Sequence, residues 1–389
     1  MPPSTRLAFL SDLRAAETAA RSGVGKGTIA NANTSWDLWR QFCRELNHDP
    51  HLQSVSDPIL LLQVFAARVR DGSLTGHKPV HAGTVATRLR DVGQTLSLLG
   101  TPDPRMNPSG SLDLRLARQL RHYSLADPPP ARAPPLSLSV LHYIVHNCYR
   151  SRRVVPHATQ ACTDLIIIAY FFLMRPGEFC ETATAHPFRF CDVALYNQGT
   201  RIDTATAREP ALYAATHILL TFTTQKNGVR GERIGQGCSG DPFLCPVKAV
   251  VRRLIHLRRC GAGPTTPLHH YQHNPDQAHP NNFYKLTATT ITRHLRLAVA
   301  ALNLAALPLE AVSARCLRAT GATALLLSKI DPDLIRLLGR WQSDAMLCYL
   351  HVQSAAIKHN LAQVMLTSDP TAEPSLPAGS LSTTTLAVH

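Results

Sequence analysis

Apolar positions recur every three or four residues through the first third of the chain. Trp36, Trp39, Phe42, Cys43 and Leu46 form one such stripe and predict a helix over 35–46. Asp57 followed by Pro58 reads as a cap and a first-turn proline, opening a second helix that runs to about Arg70. Val85, Leu89, Val92, Leu96 and Leu99 share one face of a third, from Thr84 to Leu99. A fourth, from Ser111 to Tyr123, turns Arg115, Arg118, Arg121 and His122 to its polar side. Five prolines among residues 127–135 then stop any helix and favour a stiff, extended connector.

The pattern changes after the connector. Helices are predicted near 137–150 and 157–174, followed by a β-rich patch. Residues 211–224 include Ile218, Leu219, Leu220, Phe222 and several threonines, which are strand formers. Asn227-Gly228 is a two-residue hairpin signal, and Val229 to Ile234 reads as the returning strand. Helical spacing resumes at about 246–259, 288–303, 313–328, 332–338 and 343–352, with one more amphipathic segment at 353–366. The expected organisation is a helical basic domain over 1–126, a linker over 127–136, a second domain over 137–366 and a disordered tail over 367–389. The fold class is mainly α with a small β-sheet.

Charge sharpens this. The 389 residues hold 40 Lys and Arg against 26 Asp and Glu, a formal net charge of +14. Such an excess favours a polyanionic partner, of which nucleic acid is the commonest; a basic soluble protein with no such partner satisfies the charge alone. The ten cysteines include no C-x-x-C pair, the spacing a zinc site would show, and many lie in apolar stretches. They read as reduced, mostly buried residues of an intracellular protein. The longest apolar run, Leu165 to Met174, is about half a membrane span. His269-His270 is the closest histidine pair, in a Pro- and His-rich loop, and gives no metal-ligand pattern. Neither a metal nor a cofactor is expected.

The chemistry-bearing residues lie in the second domain. Arg315 and Arg318 are three apart in a helical segment whose other face is Leu317, Gly321, Ala324 and Ser328. Two guanidinium groups on one edge make a fork for phosphate oxygens; a solvated basic face has the same spacing. Asp331-Pro332 caps a short helix that Gly339 ends, with Arg340 and Trp341 in the turn beyond it. Ser343 caps the next helix, which carries Tyr349. Taken singly, Tyr349 is an ordinary core tyrosine.

In order along the chain, these residues resemble the tyrosine recombinase (phage integrase) family. Arg175, in Arg175-Pro-Gly-Glu178 after an apolar helix, fits the family's first arginine. Lys226 fits the hairpin lysine, Arg318 the second arginine, Leu338-Gly339-Arg340-Trp341 the turn, and Tyr349 the nucleophile. The resemblance covers roughly residues 137–360, and the preceding helical domain looks like the family's core-binding domain. Arg175-Pro-Gly-Glu178, Cys245-Pro-Val-Lys248 and Gly339-Arg-Trp341 also look like a eukaryotic subset found in integrase-like mobile elements, which would imply the nucleus.

The resemblance implies attack of the Tyr349 hydroxyl on a phosphodiester of double-stranded DNA, giving a 3′-phosphotyrosyl link and a free 5′-hydroxyl. It also implies Arg175, Arg318 and Arg315 as stabilisers of the transition-state charge, Lys226 as general acid, and a homo-oligomer on DNA. Two departures stand out. Arg315 occupies the place of the family's histidine, and a guanidinium cannot serve as a general base. The family's His or Trp position falls on Arg340 by count and on Trp341 by residue type. A recombinase that binds DNA without cutting it, and a type IB topoisomerase-like enzyme, remain open alternatives.

Overall fold

The computed structural model describes residues 3–341 apart from 54, 77, 129–132, 151–153, 183–186, 224–230 and 275–281. Lys226, Tyr349, the helices expected at 343–352 and 353–366, and the tail lie outside the described residues. The chain divides into two compact units, Met1–Ala131 and Arg132–His389.

The first unit is all helical: α1 Pro3–Ser22, α2 Lys26–Glu45, α3 Pro58–Asp71, α4 Ala82–Leu98 and α5 Leu114–Ala126. Its core forms where the apolar stripes meet. Trp39 and Phe42 of α2, Leu62 and Phe65 of α3, Val85, Leu89 and Leu96 of α4, and Leu116 of α5 are all buried. Phe65 sets its edge against Trp39, with ring centroids 5.2 Å apart, a favourable quadrupole geometry. Asp57 caps α3 as expected, accepting from the Ile59 N–H at 3.1 Å. Leu99 departs from its expected place on the buried face of the third helix: α4 ends one residue earlier and Leu99 is exposed. Helix α1 had no counterpart in the sequence reading, because its apolar residues Leu7, Phe9, Leu10 and Leu13 are exposed and belong to no buried stripe. The arginines and His122 of α5 face outward as expected.

The second unit wraps helices around one long buried helix. Its elements, in chain order, are α6 Leu138–Val145, α7 His157–Phe171, α8 Pro176–Phe179, β1 Val193–Asn197, β2 Thr200–Ile202, α9 Glu209–Tyr213, β3 His217–Phe222, β4 Glu232–Gly237, α10 Pro246–Arg259, β5 His270–Tyr271, β6 Tyr284–Lys285, α11 Ala288–Ala301, α12 Cys316–Leu327 and α13 Pro332–Gly339. Helix α7 is buried continuously from Ala161 to Ala169, which is why its sequence lacks a polar face. The apolar run Leu165–Met174 is thus core. Among the described residues, no helix is long and apolar enough to cross a membrane.

Four strands form an antiparallel sheet in the order β2-β1-β3-β4. Strands β3 and β4 pair from His217↔Gly237 to Phe222↔Glu232, on either side of the expected hairpin turn, whose residues 224–230 lie outside the described ones. The strand expected over 211–224 is shorter. Its first part is the one-turn helix α9, opened by Glu209-Pro210 and anchored by buried Leu212. The expected His269-His270 loop instead contributes the short β5–β6 pair. Seven of the nine described cysteines are buried, while Cys191 and Cys238 are exposed.

Candidate active site

Two helix ends meet beneath α12. Helix α7 finishes with Leu173 at φ 48, and α13 with Arg340 at φ 57, both left-handed and neither glycine. Each end closes in the same way. The Met174 N–H reaches back to the Ala169 carbonyl, and the Trp341 N–H to the Arg336 carbonyl, both at 3.0 Å. Non-glycine residues in this conformation cost on the order of 1 kcal/mol each, and they persist where the surroundings over-determine them.

What over-determines them is a cluster of arginines. Arg318 is 2% exposed. Its Nη1 donates to the Leu173 carbonyl at 2.8 Å and its Nη2 to the Gly339 carbonyl at 2.5 Å, so one guanidinium ties the two helix ends together. The indole of Trp341 lies against the same group, 4.1 Å from ring centroid to the guanidinium carbon. Arg340 enters from the other side. It donates to the Phe172 and Leu338 carbonyls at 3.2 and 3.0 Å, and to Glu178 Oε2 at 2.8 Å. Its guanidinium carbon sits 3.7 Å from the centre of the Phe222 ring, at the end of β3. Burial pulls the Arg340 pKa below the ordinary arginine value, and the Glu178 carboxylate opposes that shift.

Arg175 completes the group. It precedes α8, a single turn opened by Pro176. Glu178 accepts from the Arg175 N–H at 2.8 Å and from Arg175 Nη1 at 3.1 Å, while also holding Arg340. One nearly buried carboxylate therefore orients two arginines. The Arg175 side chain, 29% exposed, can still meet a ligand from solvent.

Two glycines make this approach feasible. A Cβ on Gly321 of α12 would lie 2.4 Å from the Tyr170 carbonyl and 2.4 Å from Leu173 Cδ2, so glycine lets α12 press onto the end of α7. A Cβ on Gly339 would overlap the Trp341 ring at 1.6 Å. Gly339 ends its helix as expected, as the last helical residue, and the left-handed position after it falls to Arg340. The glycine is needed for the tryptophan.

The structure thus brings Arg175, Arg318, Arg340 and Trp341 together. Arg315 is set apart: it is the residue before α12, exposed, and without a hydrogen bond or ion pair among the described residues. Arg315 and Arg318, expected to form a fork on one edge of a buried helix, do not point together: Arg318 turns inward to the two carbonyls and Arg315 is exposed. Glu178 was quoted in the motif but given no role in the sequence reading. The signal that could have found it is the Arg-x-x-Glu spacing across a proline-opened turn. Lys226 and Tyr349 lie outside the described residues, although Phe222, four residues before Lys226, touches Arg340. Among the described residues no cluster of His, Cys, Asp or Glu could hold a metal ion.

No protein-family model matches the sequence, and neither does any curated protein. Solved structures do match. The Tn1549 transposon integrase, in complex with transposon right end DNA, is similar at 15% identity over 92% of this chain and 99% of that chain, with a TM-score of 0.51. A lambda integrase dimer bound to a core site aligns at 14% identity over 88% of this chain and 94% of its own, with a TM-score of 0.48. The XerH site-specific recombinase bound to palindromic difH substrate aligns at 14% identity over 82% and 74%, also at 0.48. The likeness to the transposon integrase is one of fold. The chain has the mainly helical tyrosine recombinase fold, with its small antiparallel sheet.

Proposed function

We propose that this chain cleaves and rejoins double-stranded DNA through a phosphotyrosyl intermediate, as in site-specific recombination or DNA integration. The observation that carries the reading is the cluster of Arg175, Arg318, Arg340 and Trp341 built on Glu178 and two left-handed helix ends. Concentrated, preoriented cations are what a pentavalent phosphorane-like transition state requires, because its extra negative charge is stabilised without reorganisation. Arg175 is the member open to solvent and the first contact for a phosphate oxygen. Tyr349 supplies the attacking hydroxyl and the 3′-phosphotyrosyl bond. Lys226 protonates the leaving 5′-oxygen. The proton balance closes: the tyrosine loses one proton, the 5′-hydroxyl gains one, and no ATP or metal enters.

In this reading Arg315 is a fixed cation at the rim of the site, binding phosphate and not transferring protons. The net charge of +14 supplies the non-specific attraction for DNA. Several copies act on one DNA, as the family resemblance implies.

A second reading is favoured by one observation. Both terminal nitrogens of Arg318 are already bonded to backbone carbonyls. A guanidinium so enclosed, 2% exposed, has to be uncovered before it can hold a phosphate. A protein that keeps it so binds DNA without cutting it.

Trapping separates the two readings. The full chain is incubated with nicked duplexes drawn from DNA flanking its gene, so that the cleaved strand is lost and the covalent complex accumulates. An adduct that disappears in Tyr349→Phe, with DNA affinity nearly unchanged, is the expected result. An adduct that survives Tyr349→Phe overturns the assignment of the nucleophile. DNA binding with no adduct from any flanking sequence supports the binder.

A further inference from the structure

The strand β4 ends at Gly237, and the chain reaches α10 through a short, tightly held loop. Ser239 Oγ donates to the Leu244 carbonyl at 2.7 Å, closing the loop across its base. Asp241 accepts from the Phe243 and Leu244 N–H groups at 2.7 and 2.8 Å, fixing its tip. The residues just outside this clasp are both cysteines: Cys238, after β4, and Cys245, the residue that precedes α10. The Ser239–Leu244 bond draws these two flanking residues towards each other, and Cys238 Sγ donates to the Ala215 carbonyl at 3.6 Å.

The two thiols differ in a complementary way. Cys245 is 1% exposed, and Cys238 is exposed. Burial works to raise the Cys245 pKa, but the backbone N–H groups of Lys248, Ser239 and Val247 around the sulfur outweigh it and hold the thiol below its ordinary value. Cys238 is shifted the other way, by burial of part of its surface and by the charge its neighbour would carry.

We propose that Cys238 and Cys245 form a reversible disulfide site that responds to small-molecule disulfides of the glutathione class. The exposed sulfur receives the oxidant and the buried one resolves it. In the first step Cys238, having lost its proton to solvent, attacks one sulfur of the small disulfide. A Cys238–S–S–R bond forms, the original S–S bond breaks, and one small thiolate leaves and takes a proton. In the second step Cys245, having lost its proton to solvent, attacks the Cys238 sulfur. The internal bond forms, and the second small thiolate leaves and is protonated. Two protein thiols are oxidised and one small disulfide is reduced to two thiols, so the step balances. The clasp across residues 239–244 holds the partners close before the bond is made, and the closed loop spans eight residues from Cys238 to Cys245. The bridge would staple the end of β4 to the start of α10.

The test uses the full chain in oxidised and reduced glutathione mixtures, with peptide mass mapping after alkylation of the remaining thiols. Wild type is expected to give a peptide pair joined between Cys238 and Cys245, lighter by two hydrogen atoms, and reversed by excess reduced glutathione. Cys245→Ser keeps a good capping residue at the start of α10 and should fold; it is expected to stop at a stable glutathione adduct on Cys238. Cys238→Ser should give neither product at this loop. Cys191 is the internal control, since it is exposed and has no cysteine beside it among the described residues; it should take a single cap and no internal bridge. Wild type that accumulates capped Cys238 without the internal bond overturns the proposal. So does a bridge from Cys238 to any other cysteine, or an unmodified Cys238 in a sample whose Cys191 is fully capped.

Discussion

The guanidinium of Arg340 and the carboxylate of Glu178 meet at 2.8 Å with the arginine side chain wholly out of solvent. A buried pair of this kind adds little net stability when intact, because the attraction is offset by desolvation of both ions. Removing one partner is costly. Glu178→Gln keeps the shape but leaves the Arg340 charge without its counter-ion. It is expected to lower unfolding stability by about 3 kcal/mol, read from urea denaturation with an unchanged slope. Adding Arg340→Met to Glu178→Gln should recover most of that loss, since no buried charge is then left alone. Equal losses in the single and double variants would show that Glu178 acts through Arg175 and not through Arg340.

Gly339 and Trp341 make a second coupled pair. A methyl group at Gly339 would occupy the space of the indole, 1.6 Å from a ring carbon. Gly339→Ala must therefore push Trp341 off Arg318, at a cost of about 1–3 kcal/mol for overpacking. Trp341→Ala opens that space but loses the indole's own packing. The double variant should be more stable than the sum of the two single effects predicts, by more than about 0.5 kcal/mol. Additive losses would mean that the indole has another place to go at no cost.

Much of this architecture was legible in the sequence because it is written in local spacing. Pro246 after Cys245 and the apolar stripe through Val250, Leu254 and Leu257 mark the whole of α10, and the structure agrees to the residue. The β3–β4 hairpin was found because its strand formers flank a turn signal. Strands β1 and β2 were missed because a five-residue and a three-residue segment carry too few positions to show a period. The buried state of Arg318 was not legible at all. Its partners are backbone carbonyls 145 and 21 residues away, and a carbonyl has no signature in the residue letter. The same holds for Arg340, whose left-handed backbone would ordinarily announce glycine. Tertiary contacts with Glu178 and Phe222 overrode that preference.

Acid should weaken the second unit through buried histidines. Burial, together with the nearby Arg253, lowers the His256 pKa to about 3, and the ring nitrogen Nε2 lies 3.2 Å from the Gln272 N–H, which it accepts as a neutral base. Burial and the adjacent His270 likewise lower His269 to about 4. The unfolded chain binds these protons near pH 6.5, so the unfolded state holds more protons across the interval below. Stability is then fully present above about pH 6.5 and falls as pH drops towards 4. Unfolding measured at pH 7.5, 6, 5 and 4 should show a declining midpoint, and His256→Gln should flatten part of the decline. A midpoint constant over that range would show that the imidazoles are hydrated in solution.

DNA affinity should depend steeply on salt. Each phosphate neutralised releases condensed counterions, so a contact set of six or more phosphates loses on the order of 10³-fold in affinity between roughly 50 and 200 mM salt. The exposed arginines of α5, Arg118 and Arg121, are candidate contacts. Replacing both with alanine should reduce the logarithmic salt slope by about 2 while leaving unfolding stability within about 0.5 kcal/mol. An unaltered slope would remove α5 from the interface.

Arg315 offers the sharpest test of how the site works. It stands at the start of α12, three residues before Arg318, but the two side chains go opposite ways: Arg318 is buried against carbonyls and Arg315 is exposed without a partner among the described residues. Nothing in the fold needs the Arg315 charge, so Arg315→Ala should change unfolding stability by less than about 0.5 kcal/mol. If the side chain binds the scissile phosphate, the same substitution should slow formation of the covalent adduct by about 10²-fold or more. Arg315→Lys should retain part of the rate, since it keeps a cation but not the planar fork. Arg315→His places a group that titrates near neutrality at the same point. Its rate should then vary between pH 6 and 8 in a way the wild type does not. An active wild type whose Arg315→Ala variant cuts equally well would leave Arg315 as a surface charge, with the phosphate held by Arg175 and the buried cluster behind it.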